Sequence, residues 1–281
     1  MVRILGLGDN TVDTDVKAGL QFPGGNAVNV AVLARRAGAF AGYLGCIGDD
    51  AAGRLVRDSV VAEGVDISRL RIRKGVNARA LIAYEDSDRR FLGSRPGVRG
   101  QYALEAEDFT YIASFDLTHS SVFSDLDAEL PRIRSAAPAL SFDFSSQWTD
   151  GLLQCLLPLL DIAFLSAPNM DDAVCVRLLR DCLSCGAKLA VVTRGVRGAM
   201  AADQTGVSEQ DALPTEVVDT LGAGDGFIAG FLIAHLRHDT VPASLLAGAM
   251  MAARVCTWRG GFGYAAPWDG DQQGVIVREH V

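Results

Sequence analysis

Six short segments that are almost wholly apolar alternate with longer stretches of helical periodicity along this chain. The apolar runs fall at 2–7, 41–47, 115–119, 139–144, 162–166 and 189–193. A strand with one wet face alternates apolar and polar residues, so runs without that alternation predict strands covered on both faces. Helical patterns at 27–37, 53–63, 172–185, 223–237 and 242–258 separate them. Strand–helix–strand order of this kind predicts an α/β fold with a mainly parallel sheet between two layers of helices. Such a sheet needs much apolar material, and 281 residues at 49% hydrophobic supply it. The expected organisation is one domain over 1–281.

One stretch departs from the pattern. Residues 79–84 are followed by the turn-like Glu85-Asp86-Ser87-Asp88 and then 89–92, which reads as a β-hairpin. A hairpin set into an α/β chain is either a lid over a site or a surface hairpin without a role. The tail after residue 265 is polar and Gly-rich and is expected to be weakly ordered.

Charge and motif absence exclude several function classes. With 26 Lys and Arg against 34 Asp and Glu, the net charge of −8 argues against nucleic-acid and membrane partners. No apolar run reaches the roughly 18 residues of a membrane span, and the short N-terminal run reads as a strand rather than a signal peptide. Six cysteines are too sparse for a disulfide scaffold, and a cytoplasmic protein is expected. The lysines, Lys17, Lys74 and Lys188, lie outside any Gly-Lys-Ser/Thr loop, so a Walker A site is excluded. The first run ends Gly6-Leu7-Gly8-Asp9-Asn10-Thr11 and lacks the third glycine of a dinucleotide fingerprint. Cys182-Leu183-Ser184-Cys185 has no second pair and reads as a helix face rather than a metal site.

The strongest local signal is Asp219-Thr220-Leu221-Gly222-Ala223-Gly224-Asp225, which opens directly into an apolar helix. Small residues at a helix mouth let backbone N–H groups approach an anion, and the helix end adds partial positive charge. An Asp there would repel phosphate, so its presence needs a reason, either as general base or as cap of its own helix. A second signal is Gly24-Gly25-Asn26-Ala27-Val28-Asn29, where a tight turn enters a helix and Asn29 falls one turn inside it, within reach of a polyol. Asp9 and Asp13 follow the first strand, where a carboxylate grips sugar hydroxyls or is simply solvated. A third is Thr193-Arg194-Gly195-Val196-Arg197-Gly198, a plain β-turn or a nucleotide contact.

Together these segments resemble the ribokinase-like carbohydrate kinases of the phosphofructokinase B type, over 4–267. The resemblance implies a three-layer α/β/α domain with a small β lid, here about 11–23 and 75–97. It implies transfer of phosphate from ATP with Mg²⁺ to a sugar hydroxyl. By position, Asp225 matches the catalytic base and Gly222, Ala223 and Gly224 the anion hole. Asp13, Gly24, Gly25 and Asn29 match sugar contacts, with Asp9 beside them. Thr193, Gly195 and Gly198 match the nucleotide segment. Asp219, with the loop near Arg259 to Gly263, matches the position linked to a monovalent cation such as K⁺ in some members. The family's Asn-x-x-Glu is represented by Asn169 and Asp172, a shorter carboxylate that puts direct Mg²⁺ coordination in doubt. The segments Gly8-Asp9-Asn10, Ser141-Phe142-Asp143-Phe144-Ser145 and Ser166-Ala167-Pro168 most resemble the fructoselysine 6-kinase group, which phosphorylates O6 of a fructosamine. The short connection from Asp13 to Gly24 fits that group's reduced lid. On the hairpin, Arg90 would recognise a substrate carboxylate, or be solvated with Arg89. Lid pairing implies a homodimer. The rival readings are a fructokinase, ribokinase or nucleoside kinase, and a non-catalytic sugar or nucleotide sensor.

Overall fold

The computed structural model describes residues 1–85, 88–268, 270 and 276–277. In chain order the elements are β1 (Arg3–Gly8), β2 (Thr11–Asp15), β3 (Leu20–Gly24), α1 (Asn26–Arg36), β4 (Phe40–Gly48), α2 (Ala51–Ala62), β5 (Arg71–Arg73), β6 (Arg79–Glu85) and β7 (Asp88–Arg95). Then come α3 (Ala106–Ala113), β8 (Leu117–Ser121), α4 (Leu130–Ala136), β9 (Leu140–Asp143), α5 (Asp150–Leu156), β10 (Ile162–Ser166), α6 (Asp172–Ser184) and β11 (Leu189–Thr193). The chain closes with β12 (Ala199–Asp203), β13 (Gly206–Gln210), α7 (Ala223–Leu236), α8 (Val241–Val255), β14 (Ala266–Pro267) and β15 (Ile276–Val277).

Nine strands form the main sheet, in the order β13-β12-β11-β10-β9-β8-β1-β4-β5. The pairs from β11 through β5 are parallel, and β12 and β13 add an antiparallel edge. Adjacent residues on one strand feed opposite layers. Ile4, Phe164 and Val191 pack with Val28 and Val32 of α1, Val56 of α2, Phe231 of α7 and Leu245 of α8. Their neighbours Leu5, Leu165 and Val192 pack with Ile112 of α3, Ile133 of α4, Leu156 of α5 and Leu179 of α6. That two-sided demand explains why the strands read as continuous apolar runs.

Chain order reverses at β1, which lies between β4 and β8. In parallel α/β sheets a crevice opens beyond the strand carboxyl ends at such a reversal. A second sheet, β14-β3-β2-β6-β7-β15, borders it. The chain leaves β1 at Gly8, makes the β2–β3 hairpin of this second sheet and returns at Gly25 to start α1. Asp9 and Asn26 therefore share the mouth of the crevice.

The anticipated hairpin is β6–β7, and the 11–23 segment is β2–β3, as expected for a lid. The β2–β3 turn is short, and the sheet it joins has six strands, two of them only two residues long. Two of those strands, β14 and β15, come from the tail expected to be weakly ordered. The short helices α3, α4 and α5 went unanticipated because seven or eight residues carry too few repeats of the helical period. Among the described residues, no helix is long and apolar enough to cross a membrane.

Candidate active site

Helix α7 begins at a left-handed glycine. Gly222 has φ +77°, and a Cβ placed there would sit 2.6 Å from the Gly261 Cα. Both facts demand glycine. The N-cap position is this glycine, which has no capping side chain, and Asp225 stands in the first turn. Its carboxylate instead turns toward α1, where Asn26 Nδ2 donates to Oδ1 at 2.8 Å and Asn29 Nδ2 donates to Oδ2 at 2.6 Å. Residues 26 and 29 lie three apart, on one face of the helix. Two neutral amides thus orient the carboxylate. Of the helix-mouth amides, that of Ala223 is turned to the Thr220 carbonyl at 3.2 Å, which leaves Gly222 and Gly224 as the better oxyanion donors. A Cβ on Gly224 would meet nothing within 4 Å, so open space lies beside it.

Asn26 reaches further. The same Nδ2 lies 3.0 Å from Asp143 Oδ2 at the end of β9, and its Oδ1 lies 2.9 Å from His119 Nε2 in β8. Loss of surrounding water pushes the Asp143 carboxyl up to about 7; the Ser145 N–H opposes this, while the Asp225 and Asp9 charges add to it. Burial pushes His119 down to about 3, so the ring is neutral. Ser145, just past the strand, holds φ +51° while its N–H donates to Asp143 Oδ1 at 2.8 Å. A non-glycine residue in that region is strained, and here it aims a site carboxylate.

Two predicted sugar contacts part company. Asp9 is 3% exposed and its oxygens are taken. It accepts from the N–H groups of Asn26 (2.7 Å) and Ala27 (3.2 Å) and from the hydroxyls of Ser121 (2.9 Å) and Ser124 (3.1 Å). It docks the start of α1. Asp13, also buried, lies against Gly24. Its Oδ2 lies 2.5 Å, and Asn29 Oδ1 3.7 Å, from where a Cβ on Gly24 would stand, so the three converge. Asn29 Oδ1 is buried without a hydrogen-bond partner, an acceptor suited to a hydroxyl. Gly25, at φ +105°, brings the chain against Asn10 and Asp9. The Arg90 side chain lies outside the described residues.

The nucleotide-type residues lie farther along the same carboxyl edge. Thr193 ends β11, with Oγ1 donating to the Leu165 carbonyl at 3.3 Å. Gly195 and Gly198 bracket a left-handed turn at φ +61° and +79°. Asn169 is exposed in the loop after β10. Arg197 ties these together, donating to the carbonyls of Pro168 and Met170 and to Asp172. Asp172 Oδ1 also accepts from Arg194 at 2.8 Å, so this carboxylate is bound to two guanidiniums. Asp219 accepts from the N–H groups of Leu221 and Gly260, both at 2.9 Å, which joins it to the loop named with it.

An oriented carboxylate at a helix mouth, beside a polar crevice at the reversal of a parallel sheet, defines a kinase acting on small hydroxylated molecules. The pfkB family carbohydrate kinase profile matches residues 5–264, and the chain belongs to that family: it is an ATP-dependent carbohydrate kinase. It is 36% identical over 260 residues to the fructoselysine 6-kinase of Shigella flexneri, covering 92% of this chain and 99% of that protein. It is 35% identical over 271 residues to a fructosamine kinase of Bacillus subtilis (strain 168), covering 95% of each. The structure of an Arabidopsis thaliana ribokinase with ribose and ATP matches with a TM-score of 0.79 at 17% identity, covering 92% of this chain and 93% of that one, a likeness of fold.

Asn26, His119 and Asp143 were not anticipated as site residues. Asn26 and Asp143 stood inside quoted motifs. His119 stood in a run read as apolar strand, and a neutral histidine there gives no pattern to find.

Proposed function

We propose that the chain transfers the γ-phosphoryl of Mg²⁺-bound ATP to a primary hydroxyl, O6 of a fructosamine such as fructoselysine. The observation that carries the reading is Asp225 held by Asn26 and Asn29 at the mouth of α7, opposite Asp13 and the vacant Asn29 acceptor. Relatives at 35–36% identity named for fructoselysine or fructosamine supply the substrate class. Asp13, Gly24, Gly25 and Asn29 would seat the sugar. Asp225 takes the hydroxyl proton as that oxygen bonds to the γ-phosphorus, the bond to the β-phosphate oxygen breaks, and ADP leaves. The Gly222 and Gly224 amides face the charge that develops. Thr193, Gly195, Gly198 and Asn169 would border the nucleotide.

Among the described residues there is no cluster of three or more metal-ligating side chains. On this reading Mg²⁺ would be carried mainly by the triphosphate, as is common for this ion, and when bound it would neutralise phosphate charge. Asp219 and the 259–263 loop would hold K⁺ if one is used. The chain works, on this reading, as one cytoplasmic kinase domain over 1–281 with 11–23 and 75–97 as lid. A homodimer formed through that lid is part of this reading. The test is ADP release with ATP and Mg²⁺ across fructoselysine, other fructosamines, fructose, ribose and adenosine. A kcat/KM preference for fructosamines is expected; preference for a free sugar or nucleoside would overturn the substrate class, and ATP binding without turnover would indicate a sensor.

A further inference from the structure

One buried titratable side chain takes no part in the chemistry above. His119 has no exposed surface, and the Phe164 ring meets it edge-on at 6.2 Å. Its Nδ1 is 2.8 Å from Ser141 Oγ and its Nε2 is 2.9 Å from Asn26 Oδ1. The Asn26 amide nitrogen spends both hydrogens on Asp143 and Asp225, so its oxygen must be the acceptor toward His119. Nε2 therefore carries the proton, and Nδ1 accepts from the Ser141 hydroxyl. A continuous chain runs from Ser141 through His119 and Asn26 to the two carboxylates. It joins β9, β8, α1 and α7, which are far apart in sequence.

The direction of this chain matters because a primary amide has a flipped form of nearly the same shape. Flipped, Asn26 would set its oxygen against two carboxylates and its NH₂ against the His119 N–H. Three carboxylates, Asp9, Asp143 and Asp225, crowd around Asn26, and Asp9 is already saturated by the start of α1 and by Ser121 and Ser124. Without an amide pointing its hydrogens between them, Asp143 and Asp225 would lower their repulsion by sharing a proton, and a base that holds a proton cannot take one.

We propose that His119 is a positioning residue for phosphoryl transfer: its neutral Nε2–H form locks the Asn26 amide and so keeps Asp225 aimed and ionised beside Asp143. The proposal rests on Asp225 as the base, and a neutral ring, unlike a charged one, supplies one donor and one acceptor as the two partners require.

Two variants test it. His119→Phe keeps the ring volume and removes both nitrogens, whereas His119→Gln returns an amide N–H near the Nε2 position. His119→Phe is expected to lower kcat about 10- to 100-fold, the cost of a misplaced catalytic group. The KM for ATP should stay unchanged and the acid limb of the kcat/KM profile should move to higher pH. His119→Gln should recover most of both. A merely structural histidine would lower Tm in both variants without moving the acid limb. An unmoved limb in folded His119→Phe, or equal damage from His119→Gln, overturns the proposal.

Should His119→Phe fail to fold, ¹⁵N NMR of the wild-type histidines decides. The chain has four, and His119 should show a neutral Nε2–H ring throughout pH 5.5 to 8.5. A ring protonated at Nδ1, or one that titrates in that range, overturns the proposal. This signature does not depend on the base assignment, which fails separately if Asp225→Asn retains turnover.

Discussion

Replacing Asp225 with Asn tests the centre of the reading. The side chain keeps its shape, but one oxygen becomes an NH₂ with no acidity or basicity of use. In the wild type the two carboxylate oxygens each accept one amide hydrogen, from Asn26 at 2.8 Å and Asn29 at 2.6 Å. An Asn at 225 can accept one of these bonds and must face the other donor with a donor. One lost bond in a partly open site costs about 1 kcal/mol of stability. Loss of a positioned base costs about 10²- to 10⁴-fold in rate, roughly 3 to 5 kcal/mol on the barrier. The kinetic effect should therefore exceed the structural one by a wide margin. Nucleotide affinity should hold, because Thr193, Gly195 and Gly198, which would border the nucleotide, sit on and just beyond β11 rather than on α7. The assay is coupled ADP release at saturating ATP and sugar, beside a binding titration with a non-hydrolysable ATP analogue. Turnover within tenfold of wild type would refute the assignment of the base. A fall in turnover matched by loss of nucleotide binding would refute the separation of the two ends of the site.

Gly222→Ala places a side chain at φ +77° and 2.6 Å from the Gly261 backbone. It should cost about 2 to 4 kcal/mol, seen as a lowered Tm by calorimetry, and reduce kcat by disturbing the helix mouth. Arg197→Ala frees the carbonyls of Pro168 and Met170 and half of the Asp172 pairing. The expected outcome is a rise of about three- to tenfold in KM for ATP with kcat little changed, read from initial rates. Stability against pH should carry two opposed contributions. Asp143, raised from 3.8 to about 7, binds a proton in the folded state that the unfolded chain has released, so its contribution falls as pH rises through that window. His119, lowered from 6.5 to about 3, does the reverse, and its contribution grows as pH rises from about 3 to 6.5. Asp143→Asn should therefore steepen the gain in Tm between pH 4 and 6.5, and identical slopes in variant and wild type would contradict the Asp143 shift.

Hydrophobic pattern located strands best where both faces are apolar. The 162–166 and 189–193 runs are β10 and β11 at the same bounds. It failed by two residues at β8, which spans Leu117–Ser121 instead of 115–119. There Thr118, His119, Ser120 and Ser121 are fully buried polar residues, while Phe115 stands before the strand and packs edge-on against Tyr111. A pattern built on burial of apolar groups cannot register a strand whose buried side chains are polar. The glycine signatures marked the turns and helix starts that bring Asp225, Gly222 and Asn29 near one another, because such features are local events. Asn26 escaped because its partners are 93, 117 and 199 residues away. The hydrogen bonds of Asp9 were not legible for a related reason. A carboxylate after a strand looks the same whether it meets a ligand or a helix start, and only Ser121 and Ser124, more than 110 residues on, show which.

The choice of asparagine on both sides of the base has a physical logic of its own. A guanidinium or ammonium against Asp225 would hold the carboxylate firmly, with a bond roughly twice as strong as one from a neutral donor. It would also lower the carboxylate's proton affinity, and a base that is too weak takes little of the proton in the transition state. Neutral amides orient the group at a smaller loss of basicity. The charges of Asp225 and Asp9 add to the burial that raises the carboxyl of Asp143. Neutral clamps thus act toward a carboxylate that is fixed in place yet able to accept a proton. Positive charge is placed elsewhere, where Arg194 and Arg197 bind Asp172 at the far end of the carboxyl edge. A cation engineered at position 29 should therefore tighten the hold on Asp225 while slowing turnover, the opposite of what a purely structural role for these contacts would produce.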